Sequence, residues 1–317
     1  MFKPLGFDAL PPFGIEINWE KEMNVQAKQL KSNTAGMWQC GNSGLEKTLA
    51  MDLAKRGARV VIASRNLGKS NKVKDEIIKE SGKHEICDVR AMQVDLEDFD
   101  SVRKFAKEFD ESEKYFDYLL NNAGMVLEGM TKYGINRIFV VNYFSRFLLT
   151  NLLLDKMKKQ SAERPVRIIN LVTFMYKYAE VTESGMIKNP KGFLDMFTVT
   201  AQTDLSSIQF MRNLSRQNNG ITTFNFNPGW VYTEGYDTNL FYEARLLFCV
   251  PMIIFGQELH YGYQPLLKLV LDDSVVKYSS EFFTGFDHEE LLPHATNDSA
   301  WEPLMRKSLE ITGLSST

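Results

Sequence analysis

The sequence predicts an α/β fold, a doubly wound parallel sheet in a single domain. From residue 45 onward, apolar segments of strand length alternate with helical patterns. This alternation is typical of a parallel sheet covered by helices on both faces. Of the 317 residues, 44% are hydrophobic and 24% are charged, which is the composition of an ordinary globular protein with one core. No internal repeat interrupts the alternation, so one domain accounts for it.

Each strand is predicted from a short apolar or alternating run. The predicted strands are residues 58–64, 89–94, 116–120, 166–172, 222–226 and 281–286, the last of which closes the sheet. Residues 34–39 read TAGMWQ, a poor candidate for a central strand, because a strand buried on both faces is usually a continuous apolar run. Either this element is distorted, or the residues before about 40 come from a wrongly joined segment.

The helices are predicted from apolar residues three and four positions apart. They span residues 45–56, 71–80, 100–109, 138–159, 200–217 and 258–271. Gly82 follows the second of them, at a position where glycine commonly ends a helix. Residues 1–30 show no clear element and are expected to form an N-terminal arm. Residues 31–317 then form the folded domain, with a cap segment at about 235–265.

Charge and cysteine content exclude several classes of function. The formal net charge is −3, and no run of like charge stands out, so a nucleic-acid partner is not expected. The three cysteines are odd in number and far apart, which argues against a disulfide framework and a zinc site. The four histidines also lack metal-site spacing. No metal is therefore expected.

Two features bear on membranes. Residues 1–30 lack the regions of a signal peptide, and no uninterrupted apolar run is long enough to span a bilayer. The chain is therefore expected to be intracellular, in the cytoplasm or peripherally at a membrane. The longest apolar run, LLFCVPMIIF at residues 246–255, is half a bilayer span. A buried cap helix is favoured over peripheral membrane contact, because the run is short.

Several motifs follow the predicted strands in a fixed order. They are Asp95-Leu96, Asn121-Asn122-Ala123-Gly124, VNYFSRFLLTNLLL at residues 141–154 and NPGWVYTE at residues 227–234. In this order they resemble the short-chain dehydrogenase/reductase family, particularly its retinol-dehydrogenase-like branch, over residues 40–313. The resemblance implies a Rossmann-like fold, hydride transfer with a lipophilic alcohol or carbonyl, and a homodimer through the helices that start near Ile138 and Thr200.

The resemblance also implies which residues contact a dinucleotide. These are Gly41, Asn42, Gly44, Arg65, Asp95, Leu96, Asn122, Ala123, Gly124, Pro228, Gly229, Val231 and Thr233. After the strand 58–64 the chain reads Ser64-Arg65-Asn66. A basic residue there suits the 2′-phosphate of NADP, whereas an acidic one would bind a free ribose hydroxyl. Contact with NADP is favoured over a solvated surface arginine.

The phosphate-binding loop departs from the family pattern. Of the three glycines in TGxxxGxG, only Gly44 remains, while Cys40 stands at the first position and Glu46 at the third. Those glycines permit a tight turn, close approach of the pyrophosphate and close helix packing. A carboxylate at Glu46 would also compete with the diphosphate for the helix N-terminus. We expect NADP binding to be weakened, with Gly41 restoring part of the turn.

The catalytic positions depart further. The family's serine, asparagine, tyrosine and lysine align with Thr173, Asn142, Thr200 and Asp204. The resemblance assigns the tyrosine as acid or base and the lysine as the cation that lowers its pKa. Loss of a general acid or base costs about 10²- to 10⁴-fold in rate. Asn142 and Thr173 are the remnants of the site.

Three functions stay open. The first is a catalytically impaired or inactive homologue that keeps the scaffold for a ligand, such as a small lipophilic molecule, or for a partner. The second is an NADP-dependent oxidoreductase acting on a retinoid-like or steroid-like alcohol or carbonyl. The third is a gene copy without a selected function.

Overall fold

The computed structural model describes residues 35–39, 44–81, 87–229, 231 and 259–315. The predicted N-terminal arm, residues 1–30, and the apolar run 246–255 lie outside the described residues, as does most of the predicted cap. Within this part of the chain the sheet has eight strands. They are β1 (Ala35–Gln39), β2 (Arg59–Ser64), β3 (Asp88–Gln93), β4 (Tyr118–Asn121), β5 (Val166–Leu171), β6 (Ile221–Asn227), β7 (Phe282–Thr284) and β8 (Asp287–Glu289).

The strand order confirms the doubly wound fold. The order across the sheet is β3-β2-β1-β4-β5-β6-β7-β8, and all pairs are parallel except β7 with β8. The chain runs outward from β1 to β3 and then crosses to β4 on the other side. Ligands of such sheets bind where the order reverses, outside the carboxyl ends of the strands.

The weakest strand of the sequence lies at the centre of the sheet. β1 pairs with β2 on one side and with β4 on the other, through partners such as Met37 with Val61 and with Leu119. The sequence made this segment a poor candidate. Its backbone pairing with β2 and β4 stabilises it as a strand although its composition does not favour one, because strand formation depends on context more than on propensity.

Helices cover both faces of the sheet. They are α1 (Gly44–Lys55), α2 (Leu67–Ser81), α3 (Phe99–Ser112), α4 (Ser145–Leu152), α5 (Leu154–Ser161), α6 (Glu183–Ile187), α7 (Gly192–Gln217), α8 (Leu259–Leu271) and α9 (Asp298–Thr312). One apolar cluster joins the sheet to α1, α2 and α8, and a second joins it to α3, α4, α7 and α9. The end of the predicted cap, residues 259–265, lies in α8.

The single helix predicted over residues 138–159 is broken. One turn, Arg137–Phe139, leads into a π-helix, Val140–Phe144, and then into α4. α5 follows after a bend of 53°. In the described residues no single helix is long and apolar enough to cross a membrane, although this bent pair meets that test by length and composition. π-helical turns are frequent at functional sites, and this one contains Asn142.

Two features of the face that α3, α4, α7 and α9 cover were not predicted from the sequence: the early start of α7 and the presence of α9. α7 begins at Gly192, eight residues before the predicted start at residue 200. α9 packs on the outer side of α4 and α7, where Trp301 stacks on Phe210 at 6.1 Å and the Tyr143 and Ser308 hydroxyls lie 2.8 Å apart. Because α9 lies on this face, a homodimer through α4 and α7 would have to form beside it.

Asn136 connects the loop after β4 to α6. Its Oδ1 accepts from the Phe139 N–H at 2.8 Å, and its Nδ2 donates to the carbonyls of Gly185 and Met186, both at 2.8 Å. The side chain is fully buried. We expect Asn136→Ala to lower the free energy of unfolding by about 2–3 kcal/mol, since it leaves a helix uncapped and buried carbonyls unpaired.

Urea unfolding measures this loss, and exposed Asn189 provides the control. Its Oδ1 accepts one hydrogen bond, from the Gly129 N–H at 3.2 Å. Asn189→Ala should change stability by less than about 0.5 kcal/mol. Equal losses in the two variants would show that Asn136 does not connect these segments.

Candidate functional site

The candidate site lies at the carboxyl ends of β4, β5 and β6. Asn122, Ala123 and Gly124 follow β4, Thr173 follows β5, and Pro228 and Gly229 follow β6. Because these strands are parallel neighbours, the residues that follow them meet at one edge of the sheet. Asn142 of the π-helix and Asp204 of α7 face this edge, as their contacts show.

Asp204 and Thr173 form the central contact of the site. Asp204 is buried, and its Oδ2 accepts from the Thr173 backbone N–H at 3.0 Å and from the Thr173 hydroxyl at 2.5 Å. Burial raises the pKa of the Asp204 carboxyl to about 7, against the two hydrogen bonds and the charge of Arg146, which lower it. The carboxyl therefore exchanges a proton near neutral pH.

Thr200 lies one helical turn before Asp204. Its side chain is buried, and its hydroxyl donates to the Met196 carbonyl four residues earlier, at 2.8 Å. This is a common local bond for threonine within a helix. The hydroxyls of Thr173 and Thr200 are thus both committed as donors inside the protein.

Asn142 holds the turn that follows β4. Its Oδ1 accepts from the Met125 N–H at 2.8 Å, and its Nδ2 donates to the Met125 carbonyl at 3.0 Å. Both functional atoms of the amide therefore bind one residue of backbone, directly after Gly124. The side chain acts here as a brace for the turn.

Arg146 is a site residue that the sequence analysis missed. Its guanidinium is buried on α4 and donates to the carbonyls of Asn122, Ala123 and Leu171 and to Asn170 Oδ1, at 2.7 to 3.2 Å. It therefore joins the carboxyl ends of β4 and β5. The signal was present, since a lone arginine inside the apolar stretch 138–149 would be costly unless its donors were satisfied.

The loop predicted to bind phosphate precedes α1 and reaches into its first turn. Cys40, Gly41 and Asn42 lie outside the described residues. Gly44 has a φ of 63°, a left-handed conformation that suits glycine. Glu46 lies in the first turn of α1, and burial raises the pKa of its carboxyl to about 8, against a lowering backbone hydrogen bond. Burial thus favours the neutral carboxylic acid of Glu46 near pH 7 over the carboxylate that the sequence suggested.

The Glu46 titration has a consequence for stability. Its pKa in the folded state lies above the ordinary value of 4.5, so the unfolded chain releases the proton first. The contribution of Glu46 to stability is complete below about pH 4.5 and is lost as the pH rises through about 8. The free energy of unfolding should therefore fall between about pH 4.5 and pH 8. We expect Glu46→Gln to reduce this fall by several kcal/mol.

The measurement is urea unfolding at pH 5 and pH 8. Glu80→Gln, at an exposed position on α2, is the matched control and should leave the fall unchanged. If Glu46→Gln kept the whole difference between the two pH values, Glu46 would not hold its proton in the folded protein.

Three of the residues predicted to contact a dinucleotide, Arg65, Asp95 and Leu96, follow β2 and β3. Arg65 follows β2 with 66% of its side chain exposed and pairs with Glu97 at 3.2 Å. Glu97 is bound more closely by Arg137, at 2.7 Å. Asp95 Oδ1 accepts from the Glu97 N–H at 3.0 Å, and Leu96 is buried beside it. Because Glu97 would remain paired with Arg137, the Arg65 guanidinium could rotate away from Glu97 to bind a phosphate.

The segment after β6 approaches α8 closely. Gly229 has a φ of 71° and donates its N–H to Asn227 Oδ1 at 3.1 Å. Val231 is buried, and a Cβ at Gly262 would lie 2.7 Å from its side chain. Thr233 lies outside the described residues. The close packing of Gly262 fixes where the chain leaves the site.

The described residues fit a dinucleotide at both ends. The crossover between β1 and β4, the left-handed Gly44 at the start of α1 and exposed Arg65 provide places for phosphates and adenosine. The turn Asn122 to Gly124, which Asn142 holds in place, would contact the other end of the dinucleotide. The residues that would hold the group are Gly44, Arg65, Asp95 and this turn.

Comparison with known proteins gives consistent matches. A family model described as short chain dehydrogenase matches residues 40–238. Retinol dehydrogenase 13 of Homo sapiens is 29% identical, over 86% of this chain and 82% of the relative. Retinol dehydrogenase 11 of Mus musculus is 32% identical, over 86% of this chain and 84% of the relative.

A solved structure shows the same fold. It is a putative NAD(P)-dependent gluconate 5-dehydrogenase from Beutenbergia cavernae with bound NADP at low occupancy. The TM-score is 0.61 at 17% identity, over 79% of this chain and 94% of that chain.

Proposed function

This chain belongs to the short-chain dehydrogenase family, in its retinol-dehydrogenase-like branch, and from that premise we propose that it binds a nicotinamide dinucleotide while its proton-transfer chemistry is impaired. The family is one of oxidoreductases that use NAD or NADP. The proposal concerns what this member does with the scaffold. It retains a pocket for a dinucleotide and a small lipophilic ligand, and it turns substrate over slowly or not at all.

The contact between Thr173 and Asp204 carries the proposal. The position that holds a lysine in the family holds a buried carboxyl, and that carboxyl binds the hydroxyl that would orient a substrate. The neighbouring hydroxyl of Thr200 donates to its own helix. None of these side chains is a phenol, and an aliphatic hydroxyl does not release its proton near neutral pH as a tuned phenol does.

The bound dinucleotide would supply or accept a hydride at a substrate carbon. The side chains of this protein would bind and position the dinucleotide. Arg65 supports NADP over NAD, because its exposed guanidinium suits a 2′-phosphate. Arg146 and Asn142 keep the turn after β4 in place from inside the protein.

A titration with NADPH and NADH tests the binding half of the proposal. We expect NADPH to raise the melting temperature at pH 7 and to bind more tightly than NADH. Affinity tighter than about 100 μM gives a clear shift at large ligand excess. Arg65→Gln should remove the preference, whereas Arg90→Gln, on the edge strand β3, should keep it. A folded protein that shifts with neither dinucleotide would overturn the proposal.

A second function is favoured by one observation. Asp204 has a pKa near 7 and bonds the Thr173 hydroxyl, so the pair could accept a proton from a substrate hydroxyl or return it to a carbonyl. The chain would then be an NADP-dependent oxidoreductase on a lipophilic alcohol or carbonyl. Turnover that disappears in Asp204→Asn, with NADPH binding kept, would favour this function over the first.

Three expectations about surroundings stay predictions. They are an intracellular location, peripheral membrane contact through residues 246–255, and a homodimer. The absence of a nucleic-acid partner is a prediction as well.

A further inference from the structure

The Thr173 hydroxyl binds a buried acid and belongs to a residue that is itself only partly buried. Thr173 is only partly buried, whereas Asp204 behind it is buried. The hydroxyl donates to Asp204 Oδ2 at 2.5 Å and accepts from the Met175 N–H at 3.3 Å. A hydroxyl has one proton to donate and two lone pairs to accept with. One lone pair of Thr173 Oγ1 is therefore left for a ligand.

We propose that Thr173 and Asp204 form a ligand-selecting pair, which accepts a hydrogen bond from a hydroxyl ligand when Asp204 is ionised and donates one to a carbonyl ligand when Asp204 is protonated. This inference rests on the proposed function, which keeps a pocket for a small lipophilic ligand. It adds the chemical class that the pocket prefers and the group that sets the preference.

The selection follows from the count of protons. With Asp204 ionised, the Thr173 proton points at Oδ2, and the remaining lone pair can only accept. When Asp204 carries its proton on Oδ2, that proton takes the 2.5 Å contact and Thr173 Oγ1 becomes its acceptor. The Thr173 proton must then turn to another acceptor, because the Met175 N–H fills the second lone pair. A ligand carbonyl oxygen is such an acceptor.

The surroundings of Asp204 allow its proton to exchange near neutral pH. Burial raises the pKa of its carboxyl to about 7. Arg146, on α4, faces it with a positive charge that lowers the pKa, although that guanidinium is bound to the ends of β4 and β5. In the 3₁₀ helix Phe174–Tyr178, which follows β5, Lys177 is paired with Glu289 at 2.5 Å. On α7, Asp204 has the neutral neighbours Thr200 and Thr203.

The experiment uses a matched pair of probes, 2-decanone and 2-decanol, which differ in the carbonyl and hydroxyl groups. Their dissociation constants are measured by ligand-observed NMR on the full chain at pH 5.5 and pH 8.5. We expect the affinity ratio of ketone to alcohol to fall by about two- to tenfold as the pH rises, the worth of one hydrogen bond. A ¹³C titration of the aspartate carboxyls should show one Asp204 signal with its midpoint between these pH values.

Three variants isolate the pair. Asp204→Asn can keep an uncharged oxygen for the Thr173 N–H and hydroxyl and has no carboxyl proton to exchange, so its affinity ratio should be the same at both pH values. Thr173→Val should remove the pH dependence altogether. Glu281→Gln is the control, because burial also raises the pKa of Glu281, which directly precedes β7 and lies outside the site. It should leave the dependence intact.

The outcomes separate this inference from the proposed function. Probe binding with an unchanged ratio in the wild-type chain, or a ratio that still changes in Asp204→Asn, would overturn the selecting pair alone. An Asp204 carboxyl that does not titrate between pH 5.5 and pH 8.5 would do the same. Failure of both probes to bind at either pH would overturn the retained pocket, and the inference with it.

Discussion

A double variant, Thr200→Tyr with Asp204→Lys, should reduce a lipophilic carbonyl with NADPH at least about 10²-fold faster than the wild-type chain. The change supplies a phenol and a cation one helical turn apart on α7, at the positions where the family carries its proton-transfer pair. It also releases the Thr173 hydroxyl, which now donates to Asp204. Asn142 and Thr173 would then lie beside a phenol and an ammonium that together can give a proton to the carbonyl.

Each single change should fail, for a different reason. In Thr200→Tyr the ionised Asp204 would raise the pKa of the new phenol and make it a weaker acid toward the carbonyl. In Asp204→Lys no phenol is present to give a proton to the carbonyl. The readout is the loss of NADPH absorbance at equal amounts of folded protein. A double variant that binds NADPH and stays silent would show that proton transfer is not what the chain lacks.

Arg146→Met should cost about 3–5 kcal/mol of unfolding free energy, the largest stability effect expected in the site. The guanidinium satisfies three backbone carbonyls and Asn170 Oδ1 at the ends of β4 and β5. Methionine fills a similar volume but leaves these acceptors buried without donors, at about 1–3 kcal/mol for each unpaired group that cannot relax.

A surface arginine gives the matched control. Arg216 pairs with Asp298 at 3.0 Å with half of its side chain exposed. Arg216→Met should cost less than about 1 kcal/mol, as exposed ion pairs generally do. Urea unfolding of the two variants compares them directly. Similar losses would mean that Arg146 does not hold the two strand ends together.

Much of the fold could be read from the sequence, because its apolar runs have the periods of their elements. The strands at 58–64 and 166–172 and the helix at 45–56 match β2, β5 and α1 within two residues. β1 could not be read in this way, since its order comes from pairing on both sides. The break at Leu153 was also hidden, because no glycine or proline marks it.

The site was predictable in position but not in its contacts. Spacing placed Thr200 and Asp204 on one face of a helix, since residues four apart lie one above the other. It could not show that Asp204 binds Thr173, which is 31 residues away in the sequence. The sequence also could not show how deeply Glu46 and Asp204 are buried, and burial favours the neutral form of each carboxyl.

Stopped-flow mixing of the wild-type chain with NADPH and a lipophilic aldehyde, followed by NADPH fluorescence, tests the central claim most directly. A dinucleotide site with impaired chemistry predicts a rapid fluorescence rise on binding. It also predicts a subsequent decay at least about 10²-fold slower than in the double variant. Two results would contradict the claim. One is no rise from a folded protein, and the other is a decay at an ordinary turnover of about 1–10³ per second.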